Sequence, residues 1–175
     1  YMGSKRRIGK EILPIILANR TSEQIYVEPF CGGCNLIDKV PQGAGRLAND
    51  VHVPLISLLK ALQEGWQPPI AVTEQEYQAA RLLEDTDPLK GYIGFQLSFG
   101  GKWFGGYRRD GIGLRDYSKE AYNNLLAQLP TLLGIAFTSG SYKDLVIPER
   151  SLIYCDPPYK GTTGYKDKFN HEEFY

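Results

Sequence analysis

Asp156-Pro157-Pro158-Tyr159 follows a short apolar run, residues 151–155, and sets a carboxylate, two prolines and an aromatic ring side by side. The run is rich in strand formers and reads as a buried β-strand. Two consecutive prolines remove two backbone donors and fix two φ angles, so the chain leaves the sheet in one rigid shape. The Asp156 carboxylate is thereby expected at the carboxyl end of a strand, where open α/β sheets bind their ligands. The prolines expose backbone carbonyls that no following N–H can tie up, and Tyr159 offers a flat face beside them. Two acceptors next to a stacking platform suit a planar ring bearing an amino group. A strand ending in a proline turn with a solvated Asp is the plain alternative for this tetrapeptide read alone.

A second constellation lies earlier. Residues 25–28 read as a short strand that Pro29 ends, followed by the glycine turn Phe30-Cys31-Gly32-Gly33-Cys34-Asn35-Leu36. Glycines let the backbone bend tightly and approach a ligand closely, and Gly32 is the candidate for that approach. Residues 45–48 read as the next strand, with Asn49-Asp50 behind it. An acidic residue here, roughly twenty positions past the glycine turn, is placed to accept hydrogen bonds from ribose hydroxyls. The alternative is that Asp50 caps the helix expected over residues 51–63. Cys31 and Cys34 have the spacing of a zinc pair, but Cys155 is the only other thiol and the two histidines are scattered. With no second ligand pair, no metal is expected.

Three stretches in this order, Tyr1-Met2-Gly3-Ser4-Lys5, Glu28-Pro29-Phe30-Cys31-Gly32-Gly33 and Asp156-Pro157-Pro158-Tyr159, resemble the Dam-type (alpha-group) DNA adenine methyltransferases. The resemblance runs from end to end and is loose in the middle. It implies S-adenosylmethionine as cofactor, double-stranded DNA as partner, and methyl transfer to the exocyclic N-6 amine of an adenine flipped out of the duplex. Asp156 and the Pro157 carbonyl would accept the two amine hydrogens, and Tyr159 would stack on the ring. Tyr1 and Lys5 would meet the methionine part of the cofactor, Lys5 pairing with its carboxylate. Phe30 would pack beside the sulfonium, Asp156 would also lie near the cofactor, and Tyr142 and Asp144 would border its adenine. No metal and no covalent enzyme intermediate is required. Cys34 departs from the family's glycine: either it narrows the space beside the cofactor, or the position tolerates a small side chain.

Family members continue with more strands, so the chain reads as a fragment or a truncated relative, and Tyr1 as a trimmed start. A truncated, inactive DNA-binding remnant is therefore one rival reading. An amino-methyltransferase acting on cytosine or RNA is another. Enzymes of this superfamily that methylate protein glutamine carry Asn where this chain has Asp156, which counts against that substrate. The resemblance also implies a bacterial or phage-encoded protein working in the cytoplasm.

These groups need a sheet to hold them, and 175 residues with 42% hydrophobic content suffice for one core carrying an insertion. No run approaches a membrane span, and three cysteines, an odd count, suit a reducing compartment. Net charge is zero, yet Lys5, Arg6, Arg7 and Lys10 crowd one end while Lys102, Arg108, Arg109 and Arg115 crowd the middle. Segregated charge of this kind can form a basic groove on a neutral chain, or simply solvated faces.

Residues 5–19 read as a helix that Pro14 should kink or split. Thr73 with Glu76 forms a capping box for a helix to about residue 84, Asp87-Pro88 starts another reaching 98, and residues 118–129 a third. Residues 135–138 make one more strand, and Asn170 caps a last helix. The expected fold is a partial Rossmann-like α/β methyltransferase sheet, residues 1–64 and 134–175, with a helical target-recognition insertion over 65–133. Within the insertion, residues 99–109 mix glycines with Lys102, Trp103, Tyr107, Arg108 and Arg109, a composition suited to a mobile loop that stacks on bases and reaches phosphates. A surface loop whose aromatics fold back on the domain is the alternative.

Overall fold

The computed structural model describes residues 4–159 and 169–174; Tyr1, expected at the methionine part of the cofactor, lies outside the described residues. Strands β1 (Tyr26–Glu28), β2 (Arg46–Asp50), β3 (Ile135–Ser139) and β4 (Leu152–Ile153) pair in parallel in the order β3-β2-β1-β4. These are the first four positions of the doubly wound Rossmann order, whose direction reverses between β1 and β4 and opens a crevice there. Tyr26, Val27 and Ala48 are fully buried, as a parallel sheet covered on its faces requires.

Two strand expectations need correction. β2 runs two residues further than its pattern suggested, because Asn49 and Asp50 pair with Thr138 and Ser139 of β3. The strand before Asp156 was expected to be buried over 151–155, but it is two residues long and Ile153 is 44% exposed. It pairs with β1 on one side, and the Tyr154 N–H adds one more ladder bond to the Val27 carbonyl at 2.9 Å. The prolines that follow withhold the next donors, so pairing stops.

The helices are α1 (Gly9–Ile16), α2 (Val53–Gln63), α3 (Glu74–Ala79), α4 (Pro88–Gln96), α5 (Tyr117–Leu132) and α6 (His171–Phe174). The first helical region divides at Ile8, after a 3-10 turn over Lys5–Arg7, and Pro14 sits inside α1 rather than at the break. The Thr73–Glu76 capping box and the Asp87 cap form as expected. Helix α4 lies tightly on α2, since a Cβ on Gly91 would come within 2.1 Å of the Pro54 carbonyl oxygen. Leu55, Leu58 and Leu59 of α2 and Tyr92 and Ile93 of α4 share one core with Leu125 of α5 and Phe137 of β3.

Residues 99–109 are folded back rather than loose. The Phe99 N–H donates to the Gly106 carbonyl at 2.8 Å and the Arg108 N–H to the Leu97 carbonyl at 2.8 Å. Trp103 lies on Gly94, where an added Cβ would sit 2.2 Å from its ring, and it packs against His52 and Phe95 with ring centroids 4.3 and 4.8 Å away. Aromatic burial outweighs the freedom that the glycines confer.

Candidate active site

The carboxyl ends of the four strands open on one cavity of about 660 Å³. Its floor is the glycine turn after β1. Asn49 pins the strand ends around it, donating its amide to the Pro29 carbonyl at 3.1 Å and the Gly140 carbonyl at 3.0 Å. Asp50 holds the turn itself: its carboxylate accepts the Gly32 N–H at 2.9 Å and the His52 N–H at 3.0 Å. The residue is buried, which raises its pKa, and the two N–H donors pull the other way. Gln128 of α5 braces the turn from behind by donating to the Gly33 carbonyl at 3.1 Å.

Cys34 sits at φ 55°, in the left-handed region that glycine adopts without cost, and is fully buried. It is absent from the cavity lining, so its side chain points into the core and does not narrow the space. Cys31 lines the cavity with its thiol raised well above the usual range by the hydrogen bond with Cys34 and by burial.

Lys5, Glu28, Tyr154, Asp156 and Pro158 meet at the crevice between β1 and β4. The Lys5 ammonium reaches Asp156 Oδ2 at 2.5 Å, and the Tyr159 hydroxyl donates to Asp156 Oδ1 at 2.8 Å. Lys5 also lies 5.1 Å from the centroid of the Tyr159 ring. Burial lowers the pKa of the Lys5 ammonium, but its bonds to Asp156 and Tyr159 prevail and the net shift is upward. Glu28 accepts the Tyr26 hydroxyl at 3.1 Å, and burial pushes its carboxyl up to about 8. At ordinary pH it can therefore remain protonated beside the cavity.

An aromatic wall closes another side. Phe30 stands 5.2 Å from Tyr142, 5.6 Å from Phe169 and 5.7 Å from Phe174, centroid to centroid. Asn170 caps α6, accepting the Glu173 N–H at 3.3 Å, and the helix is tied across the cavity mouth by an ion pair of Glu173 with Lys143.

Of the residues singled out from the sequence, Lys5, Phe30, Gly32, Asp50, Tyr142, Asp156, Lys102 and Trp103 all line this cavity. Tyr159 stands at its rim, 57% exposed and bonded to Asp156; Asp144 is exposed and, like Pro157, is not part of the lining. Tyr107, Arg108 and Arg109 are elsewhere. The Tyr107 hydroxyl donates to the Val72 carbonyl at 2.6 Å, Arg108 lies 3.9 Å over the Tyr117 ring, and Arg109 pairs with Glu74. Glu28, His52, Phe169 and Glu173 also line the cavity, and sequence reasoning does not pick them out. Glu28 carries a signal, a carboxylate at the end of the first strand; the others reach the site through long-range packing.

The sequence model of the family described as D12 class N6 adenine-specific DNA methyltransferase matches residues 1–97 of the 175. The chain belongs to that family. It is thus a methyltransferase of adenine N6 in DNA, and the matched segment holds Lys5, the glycine turn and Asp50. The Asp156 turn lies outside the matched segment, and the β1–β4 pairing brings it to the same cavity. Among the described residues, no helix is long and apolar enough to cross a membrane and no cluster of three metal-ligating side chains occurs.

Proposed function

We propose that this D12-class methyltransferase binds S-adenosylmethionine in the cavity at the ends of β1, β2 and β3 and presents an adenine flipped from double-stranded DNA to Asp156. The observation behind this reading is that Asp156 opens on the same 660 Å³ cavity as Gly32 and Asp50. The volume lies in the range of roughly 300–1,000 Å³ typical of small-molecule sites. The donor set fits the cofactor: a buried carboxylate for ribose hydroxyls, Phe30 and Tyr142 for apolar and stacking contact, and the Lys5 cation for a carboxylate. When bound, S-adenosylmethionine supplies a methyl group on a positively charged sulfur.

The rest falls to the chain's own residues. The lone pair of adenine N6 is delocalised into the ring and is a poor nucleophile. Asp156 and the Pro157 carbonyl accept its two hydrogens, draw the nitrogen towards tetrahedral geometry and free the lone pair. As positive charge develops on nitrogen, the Asp156 carboxylate stabilises it, and one of the two amine protons then leaves by way of that carboxylate, so the methylated nitrogen ends neutral. The rigid proline turn keeps both acceptors in place, which lowers the entropic cost of alignment. Tyr159, exposed at the rim, stacks on the flipped ring.

We assign residues 65–133 to target recognition, with Lys102, Arg108 and Arg109 meeting phosphates. Trp103 and Tyr107 support that loop from beneath, as their packing on Gly94, Phe95 and Val72 suggests. Labelled methyl transfer to duplexes of varied sequence tests the whole reading, with N6-methyladenine as the expected product. Label found in cytosine, or transferred to RNA in preference to DNA, would overturn it.

A further inference from the structure

We infer that Lys5 alternates between two carboxylates: it holds Asp156 until the cofactor's carboxylate is present, then releases Asp156 to the target amine. The exchange makes base capture depend on cofactor occupancy. It rests on the methyl-transfer reading above and adds to it a coupling between the two ligands.

Both oxygens of Asp156 are engaged, Oδ2 by a full positive charge. Oδ2 receives the Lys5 ammonium at 2.5 Å and Oδ1 the Tyr159 hydroxyl at 2.8 Å, so each already has a donor. A target amine needs one of them. The Lys5 ammonium adds full charge attraction to its hydrogen bond, which a neutral amine hydrogen lacks, so the amine competes poorly for Oδ2 while Lys5 stays. Tyr159 is three residues from Asp156 on the same proline turn, and its donor belongs to the same rigid unit.

Lys5 comes from the other end of the sequence. It sits on the 3-10 turn Lys5–Arg7, which buries no residue and is capped by a hydrogen bond from the Arg6 N–H to Ser4. A four-carbon stem on such a turn can swing within the cavity without disturbing the core. The cavity also explains why Lys5 settles on Asp156. Glu28 is held towards its neutral form, Asp50 is committed to two backbone N–H groups, and Glu173 pairs with Lys143. Among the described residues of the cavity wall, Asp156 is the acidic partner left for Lys5 until a ligand brings another carboxylate.

The coupling must be reciprocal: whatever factor the cofactor adds to base capture, the base adds to cofactor affinity. Couplings of this kind run to about 5–150-fold. The test first maps which adenine the wild-type chain methylates, then places 2-aminopurine there in a duplex and follows its fluorescence, which rises on unstacking. S-adenosylhomocysteine, which carries the carboxylate, is compared with 5′-methylthioadenosine, which shares the nucleoside and thioether and lacks the carboxylate. Occupancy by each is fixed by calorimetry.

In the wild type, S-adenosylhomocysteine should raise fluorescence and DNA affinity several-fold while methylthioadenosine leaves both near the ligand-free level. In Lys5→Met, the ligand-free protein should already flip the base, and the two ligands should become equivalent. Lys60→Met, the control on an exposed lysine of α2 outside the cavity, should retain the wild-type difference. Equal responses to both ligands in the wild type overturn the exchange, as does a Lys5→Met protein that still needs S-adenosylhomocysteine to flip the base. If no adenine is methylated at all, the function falls and the exchange with it; methylation without a Lys5-dependent difference removes the exchange alone.

Discussion

The Gly32 N–H donates to Asp50 Oδ2 across 2.9 Å, so the end of β2 fixes the glycine turn that follows β1. The other Asp50 oxygen takes the His52 N–H at 3.0 Å and orients the entry to α2. One buried carboxylate therefore shapes the floor of the cavity and faces into it.

Replacing Asp50 with Ala should have two measurable consequences. Each N–H left without its acceptor costs about 1–3 kcal/mol of stability, read as a lower midpoint in urea. Affinity for S-adenosylhomocysteine, measured by calorimetry, should fall by a further amount of about 1–3 kcal/mol as the ribose acceptor disappears. DNA affinity should barely change. A destabilised variant with unaltered ligand affinity would make Asp50 a brace and nothing more.

Glu28 predicts a pH dependence with a definite sign. Burial raises its carboxyl from 4.5 to about 8, so between those values the folded chain keeps a proton that the unfolded chain releases. Stability then falls as pH rises through this window, by up to about 1.4 kcal/mol per pH unit. Glu28→Gln keeps an acceptor for the Tyr26 hydroxyl and removes the titration. Urea denaturation at pH 5 and pH 8 should show a smaller loss in the variant than in the wild type; equal losses would show that Glu28 is ionised in the folded chain.

Arg108 and Arg109 are held by acidic neighbours, Arg109 by Glu74 and Arg108 4.0 Å from Glu120. DNA phosphates must compete with these partners. Converting both arginines to Ala should lower the salt slope of DNA binding by roughly one for each phosphate that no longer meets a cation. Glu74→Gln with Glu120→Gln should act in the opposite direction and tighten binding at low salt. An unchanged slope in the arginine variant would place the recognition surface elsewhere on residues 65–133.

What can be read from the sequence is largely local. The Thr73–Glu76 capping box and the Asp87 cap depend on neighbours a few residues away, and both form. Strand positions are legible because apolar runs stop at Pro29 and at the proline pair after Asp156. The edge position of β4 is not, since burial depends on which strands flank it. Asp50 can be placed near the glycine turn from spacing alone. The salt bridge of Lys5 with Asp156 joins opposite ends of the sequence and leaves no periodic trace. Trp103 reads as an exposed stacking residue because its glycine-rich surroundings look loose. Gly94, on the facing helix, supplies the flat surface it packs on. Phe169 and Phe174 likewise join Phe30 through a fold-level approach that no local pattern encodes.

Methyl transfer as proposed depends above all on Asp156 accepting the target amine. The direct measurement is the single-turnover rate of labelled methyl transfer from S-adenosylmethionine to adenine in duplex DNA, for wild type and Asp156→Ala at saturating cofactor. Asp156→Ala should still bind the cofactor and should slow by at least about 10²–10³-fold, the scale for removing a charge-stabilising group. Near wild-type turnover in Asp156→Ala would contradict this role.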